Sequence, residues 1–363
     1  MLKTCLNSEK QNQNVNRVLG YYKIIVMGYS FIYRYLKTAM AVAMTIMASV
    51  LNAQDKASTV EVTKASDAAS NIEKWGKFDN WRVREIKESG IIGGNIKYVY
   101  EIAQGDTIKG VKPYMNPYGC VWSNSNVLAI VSGIVKCSNT VFPEKRGDGY
   151  CVRLETRIER VKVLGIINLN VLAAGTIFLG NMHEPIKDTK NPQSKLRVGI
   201  PFTDRPKGVT FDYKAIVGHN RVKASGLGKP SPLGDNDYAE CIVMLQKRWE
   251  DSSGRVYAKR VGTGFNRITQ STDGWVNGYT MPIHYGDITK ESYYKPYMRL
   301  IPEDISNYTV NSKGEKVPIL EVGWADKDEK PTHIIVRFSS SHGDAYIGDP
   351  VNRLWIDNVK IAY

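Results

Sequence analysis

YCVRLETRIERV, residues Tyr150 to Val161, decides the fold class. Val152, Leu154, Thr156 and Ile158 fall on one side of it; Arg153, Glu155, Arg157 and Glu159 fall on the other. A period of two is the mark of an extended strand with one buried and one wet face. On the wet face, charges of opposite sign stand two residues apart, so Glu155 and Glu159 beside Arg153 and Arg157 read first as an ion-pair ladder.

Outward from this strand the texture stays extended. Val163 to Gly180 (VLGIINLNVLAAGTIFLG) is apolar on both faces, but its three Gly and two Asn argue against a membrane helix. It reads as two buried strands joined by a turn. Cys241 to Arg248 (CIVMLQKR) is another strand. Gly274 to Tyr285 alternates Trp275, Asn277, Tyr279, Met281 and Ile283, and Pro282 makes it an edge or bulged strand. GGNI, from Gly93, reads as a hairpin turn. Thr332 to Ser339 and Asn352 to Tyr363 read as a closing hairpin. Residues 287–331 look like an elaborated connection with a strand at Val317 to Trp324. No long amphipathic helix follows Trp75. Many short strands separated by turn signals predict one all-β domain over residues 75–363, a sandwich or barrel.

What precedes the domain is different. Lys23, Arg34 and Lys37 lead into the apolar run Thr38 to Val50, which is the length of a signal-peptide core and short for a membrane span. Cleavage is expected after Ala53, and Met27 is an alternative start. Residues 54–74 read as a linker with a short helical turn near Asp67. The chain is therefore expected to be exported, to the periplasm, the outer surface or the medium. The mature part is expected to carry no integral membrane span.

The whole chain carries a net charge of +13; the part after residue 53 holds 43 basic and 35 acidic residues. No zinc-finger spacing, basic-aromatic platform or helix-turn-helix pattern points to nucleic acid. Cys120, Cys137, Cys151 and Cys241 follow the leader, an even number that permits two bridges in three pairings. None has C-x-x-C spacing. G-x-S-x-G and H-E-x-x-H are absent, and His183-Glu184 reads as a surface pair.

The C-terminal run FSSSHGDAYIGDPVNRLWIDNVKIAY resembles the end of the putative carbohydrate metabolism domain family, found in exported proteins of Gram-negative bacteria. FDNW at Phe78, VWSNSN at Val121, GDGYCVRLETR at Gly147, LAAGTIFLG at Leu172 and GIPFTDRP at Gly199 fit the same family. DPVN, after Gly348, departs from the Gly-rich turn of its relatives. The resemblance implies a jelly-roll-like two-sheet β-sandwich and a role with glycans. It supplies no established catalytic residues.

Three constellations follow. Jelly-roll carbohydrate-binding modules hold structural Ca²⁺ between first and last strands, which points here to Asp79, Asn80, Asp357 and Asn358; calcium needs six to eight oxygens. Aromatic faces for sugar C–H groups are offered by Trp122, Trp249, Trp275 and Tyr279, with Asn124, Asn126 and Asn277 to read hydroxyls and Tyr293 and Tyr294 as a rim. A glycosidase needs paired carboxylates. Glu155 and Glu159 stand two strand steps apart, too far by themselves, which leaves Asp344 and Asp349 as partners for Glu155. The preferred reading is recognition of a poly- or oligosaccharide, neutral or acidic. The alternatives are a glycoside hydrolase and a structural or adhesion subunit of the cell surface.

Overall fold

The computed structural model describes residues 67–163, 167–188 and 191–363. The expected leader, the start at Met27 and residues 54–66 of the expected linker lie outside the described residues. The end of that linker is structured. Ala68–Trp75 forms helix α1, which buries Ala68, Ile72 and Trp75 in the main core. Those positions are i, i+4 and i+7, one stripe of a short helix. Just after it, the Gly76 carbonyl accepts the Val359 N–H at 2.9 Å.

The principal strands, in chain order, begin with β1 (Trp81–Lys87), β2 (Ile96–Ile102), β3 (Trp122–Asn124), β4 (Val141–Arg146) and β5 (Gly149–Glu155). Next come β6 (Arg157–Val163), β7 (Ile167–Ala173), β8 (Thr176–Met182), β9 (Gly208–Ile216) and β10 (Ala239–Glu250). The last are β11 (Val256–Ile268), β12 (Val276–Pro282), β13 (Lys316–Trp324), β14 (His333–Ser339) and β15 (Arg353–Ala362). β12, β9, β15, β5 and β4 form a five-stranded sheet in that order. A ten-stranded sheet runs through β14, β10, β11 and β13, then through Tyr308–Val310 and Leu196–Val198 to β8 and β3. β14 pairs with β10 on one side and with β8 on the other, so this sheet closes on itself like a barrel.

The all-β expectation holds. The two-sheet expectation is too simple, and β10 shows why. Its first eight residues, Ala239 to Gln246, are all buried, so both faces need cover. One face, with Val243 and Leu245, meets Val152, Leu154, Phe211, Leu354 and Ile356 of the five-stranded sheet in the main core. The other face, with Ile242 and Met244, meets Phe178, Val198 and Ile335 inside the closed ring. A buried ion pair, Arg260–Glu321, also lies on that inner side. Glu321 further accepts hydrogen bonds from Gln246 (2.6 Å) and the Ile301 N–H (2.8 Å).

Three element boundaries differ from expectation. Tyr150 to Val161 is not one strand but two, β5 and β6, which belong to different sheets. The break is at Thr156, fully buried, whose hydroxyl lies 2.9 Å from that of Ser340 and whose N–H donates to the Asn352 carbonyl. Gly175 packs against this bend; a Cβ there would lie 2.5 Å from the Glu155 nitrogen. Of the two strands expected in Val163 to Gly180, β8 is buried, but β7 folds back on β6 in a separate three-stranded sheet and leaves Leu169 and Val171 half-exposed. The closing pair is not a hairpin, since β14 and β15 lie in opposite sheets. Their connection is tied down by buried Asp237, which accepts from Ser341 Oγ (2.9 Å), the Asp349 N–H (2.9 Å) and Asn352 Nδ2 (3.0 Å). The four cysteines are all buried and unbridged. Each serves as a small apolar side chain.

Beside the ring, β1 and β2 pair antiparallel and bury Arg84 between Glu101 (2.7 Å) and Glu184 (2.6 Å). Glu184 is therefore no surface group. It also accepts the N–H groups of Tyr114 (2.9 Å) and Leu128 (2.7 Å). One guanidinium cannot neutralise two carboxylates. Burial pushes the Glu101 carboxyl up to about 8 in spite of Arg84. Folded protein keeps this proton between the ordinary 4.5 and about 8, whereas unfolded chain releases it. Stability is thus lost as pH rises through that interval, by up to about 1.4 kcal/mol per pH unit, and levels off above it. Replacing Glu101 by Gln is expected to flatten this fall, read as thermal melts from pH 5 to 9. Parallel curves for both proteins would refute the assignment. Arg84→Ala, which strands Glu184, is expected to cost about 3–5 kcal/mol.

Candidate functional site

The residues expected at the two chain ends do converge. A polar cleft of about 460 Å³ is lined by Lys77, Asp79, Arg146, Tyr150, Asp357 and Asn358, with Gly147 and Gly149 at its floor. Local geometry explains how. Arg146 ends β4, and the turn to β5 needs a positive φ at Gly147 (56°). Gly149 is required by contact, because a Cβ there would lie 2.1 Å from Asp79 Oδ1. That same oxygen accepts the Tyr150 N–H at 3.0 Å and so fixes the segment after α1 to β5. On β15, Asn358 has φ 51° beside a register shift against β9. Asp357 stands opposite Asp212 there.

Arg146 organises the centre. Its Nη1 lies 2.6 Å from Asp357 and 2.8 Å from Asp212, its Nη2 donates to Asn277 at 2.6 Å, and its guanidinium covers the Trp275 ring at 3.8 Å. The two carboxylates are set apart by their surroundings. Burial raises Asp357 above the ordinary aspartate range. Burial also works to raise Asp212, but hydrogen bonds from Asn358, the Gly278 N–H and Arg146 prevail and hold it below that range. From the cleft the charged face runs along the five-stranded sheet. Lys214 sits 4.1 Å from the Trp355 ring, and Trp355 Nε1 donates to Glu144 at 2.8 Å.

This donor set does not fit the expected calcium ion. Asp357 is engaged by a guanidinium, Asn358 turns its amide nitrogen to Asp212 (2.9 Å), and Asn80 accepts from Gln104 (2.9 Å). Asp79 serves the Tyr150 N–H. Among the described residues, no three His, Cys, Asp or Glu side chains are grouped to hold a metal. Arg146 supplies the positive charge instead.

The other expected site residues divide. Trp275 and Asn277 meet the cleft through Arg146. Trp122 is fully buried between Phe78 (5.6 Å) and Phe338 (6.0 Å), and its Nε1 donates to the Ile72 carbonyl. Asn124 and Asn126 are buried and hydrogen-bonded to the Tyr100 carbonyl. Tyr279 packs on Phe211 at 5.4 Å. These four build the core, because a sheet's inward face takes aromatics wherever the layers meet. Tyr293 is exposed and stacked on His284 at 4.0 Å, and Tyr294 is half-buried nearby. Trp249 is exposed on β10. Glu155 is held by Arg153 (3.2 Å), Arg353 (3.3 Å) and Arg157 (3.6 Å), as the ladder reading expects. Asp349 is buried and accepts the N–H groups of Asn220 (2.6 Å) and Val351 (2.9 Å). Asp344 is exposed on the terminal loop. Three arginines therefore occupy Glu155 and backbone N–H groups occupy Asp349, while Asp344 stands exposed.

Sequence reasoning missed Arg146 and Asp212. Only the RGDG turn signal hinted at the first, and nothing short-range links residues 146, 212 and 357. Arg146→Ala would leave two carboxylates facing each other without a counter-charge. A loss of about 2 kcal/mol is expected at neutral pH. The deficit should shrink as pH falls below the carboxylate range, since one group then takes a proton. Chemical denaturation at pH 7 and pH 3.5 checks this, and a deficit that is equal at both would contradict it.

A family model described as a putative carbohydrate metabolism domain matches residues 77–270. Among solved structures, the chain is similar to a putative glycoside hydrolase from Bacteroides thetaiotaomicron, at 19% identity and a TM-score of 0.38. That match covers 62% of this chain and 57% of the other, so the chain spans little more than half of that protein. A putative glycoside hydrolase from Bacteroides vulgatus is similar at 13% identity and a TM-score of 0.37, over 79% of this chain and 96% of the other. No curated protein matches the chain. The family match spans more than half of the 363 residues and takes in α1's exit, the cleft turn and β9 to β11, and by it the chain belongs to the putative carbohydrate metabolism domain family.

Proposed function

We propose that this protein is an exported glycan-binding protein and that the cleft around Arg146 is where the sugar is read. One observation carries the reading. A half-exposed Trp275 and an exposed Asn277 contact Arg146, which lines a polar cleft and is already fixed by two carboxylates and the indole face. Sugars present apolar C–H faces and a ring of hydroxyls, so a site for them pairs an aromatic edge with fixed polar groups. Lys77, Tyr150 and Asn358 supply further donors at the cleft wall. Fixing the polar groups in advance spares ordering cost on binding.

Hydrolysis is the second reading, and Asp212 with Asp357 favours it in one respect. Both oxygens lie against the same Nη1, no further apart than the carboxylates of retaining glycosidases at about 5–5.5 Å, and their proton affinities are pushed apart. Yet Arg146 occupies the space between them, where a glycosidic oxygen and anomeric carbon would have to sit. Binding without turnover is therefore the better-supported function.

A glycan-array screen identifies the ligand, and incubation of each hit tests for cleavage. Trp275→Ala and Asn277→Ala are each expected to weaken binding about tenfold, the loss of one stacking or hydrogen-bonding contact, with little change in melting temperature. Unchanged affinity in both variants would remove the cleft from the function. Release of reducing sugar would favour the hydrolase.

A further inference from the structure

The main-core face of β10 ends at Leu245. Gln246 and Arg248 stay buried in the ring, while Lys247 and Trp249 turn outward. On β11, Ala258 and Arg260 are buried, and Tyr257 and Lys259 face the same way as Lys247 and Trp249. The register sets Lys247 directly opposite Lys259 and Trp249 directly opposite Tyr257. Residues so paired share one face. The two rings stack at 5.7 Å and 21°. β13 extends the surface, with Leu320 in register with Tyr257 and Val322 more than half exposed. An aromatic and apolar stripe thus crosses three adjacent strands, about 10 Å from the first to the third.

Two features set this surface apart from ordinary sheet. A tryptophan 42% exposed, stacked on a tyrosine, contributes little to any core. Two lysines directly opposite one another repel, and that arrangement costs stability. Glu329 lies 2.9 Å from Lys247 Nζ, and Lys247 and Lys259 together hold its carboxylate below the ordinary range. One carboxylate between two ammonium groups leaves a positive charge over. Arg255 is paired with Asp251 at 2.9 Å and adds none.

We propose that this end of β10, β11 and β13 is a second saccharide surface, built for an anionic polysaccharide. A pyranose ring lies on the exposed indole of Trp249, which Tyr257 backs, and the carboxylate or sulfate it carries completes the charge between Lys247 and Lys259. The spacing suits this. The aromatic pair and the lysine pair are one two-residue step apart, about 6.8 Å along the strands. The apolar continuation over Leu320 and Val322 receives the next ring of the chain. This surface uses none of the cleft residues, so its test does not depend on the cleft.

Affinity electrophoresis of the full chain tests it, with polygalacturonate, dextran sulfate, neutral dextran and inorganic polyphosphate as the four gel additives. Polygalacturonate or dextran sulfate is expected to retard the protein, with dextran and polyphosphate having little effect. Whichever anionic polysaccharide retards more identifies the preferred anionic group. Trp249→Ala is expected to weaken retardation about tenfold. Lys247→Ala with Lys259→Ala should weaken it and make it less sensitive to salt. Tyr118→Ala, an exposed ring that belongs to neither surface, should leave it unchanged. The substituted positions are all exposed or half-exposed, and melting temperatures confirm that the variants fold. No retardation by either anionic polysaccharide overturns the proposal. So does equal retardation by polyphosphate, which has charge but no ring faces, or loss of retardation in Trp275→Ala while Trp249→Ala retains it.

Discussion

β10 is buried on both faces, and the rest of the architecture answers that constraint. A strand with one wet face needs a single layer of cover, and two sheets suffice. Ala239 to Gln246 has no wet face. The five-stranded sheet covers one side with Phe211, Leu354 and Ile356. The other side is covered by the sheet's own continuation, which bends through β13 and two short strands until β8 meets β14. Closing the ring also removes open edges on which foreign strands could pair. The cost is polar groups trapped inside it. Arg260, Glu321 and Gln246 meet it by bonding to one another, because a buried charge is tolerable only when paired and hydrogen-bonded.

The cleft sits where this layered body is tied together by its ends. Helix α1 bonds to β15 through Gly76 and Val359, and Asp79 then grips the β4–β5 turn. β15 is central in the five-stranded sheet, so its Asp357 is held rigidly. Arg146 comes from the neighbouring edge and bridges Asp357 on β15 to Asp212 on β9. Side chains from four separate stretches are therefore fixed before any ligand arrives. Such pre-organisation is what a hydroxyl-reading site needs, because each polar group held in place is one fewer to order on binding.

Much of this was legible from periodicity. The alternation of Tyr150 to Val161 marks an extended segment with Val152 and Leu154 inward and Arg153 and Glu155 outward, as the structure has it. The break at Thr156 was not legible, since it comes from Ser340, Asn352 and Gly175, residues far along the chain that press on one point. The same holds for β14 and β15, whose patterns read as adjacent strands because period two reports a face, not a partner. At the cleft, meeting ends brought Asp79, Asp357 and Asn358 together as expected. Arg146 and Asp212, which join them there, carry no local signature. Trp122 and Trp249 show the limit from the other side. Both are tryptophans in strands, and only the packing of the layers makes one fully buried and the other exposed.

Arg146 also decides what the cleft is suited to do. Two aspartates at close range with divergent proton affinities would ordinarily mark an acid and its partner. That division of labour needs one carboxyl free to donate a proton and the other free to reach the anomeric carbon. Here both oxygens point at one Nη1, and Asp212 is further bound by Asn358 and the Gly278 N–H. Freeing Asp212 to admit a substrate would break its three hydrogen bonds and uncover buried charge, a large penalty for a ground-state complex. The same bonds cost nothing to a ligand that rests on the rim of the cleft and leaves them intact. On the glycan-binding reading proposed above, the network favours holding a sugar over cutting one, through stabilising contacts that the folded chain has already made.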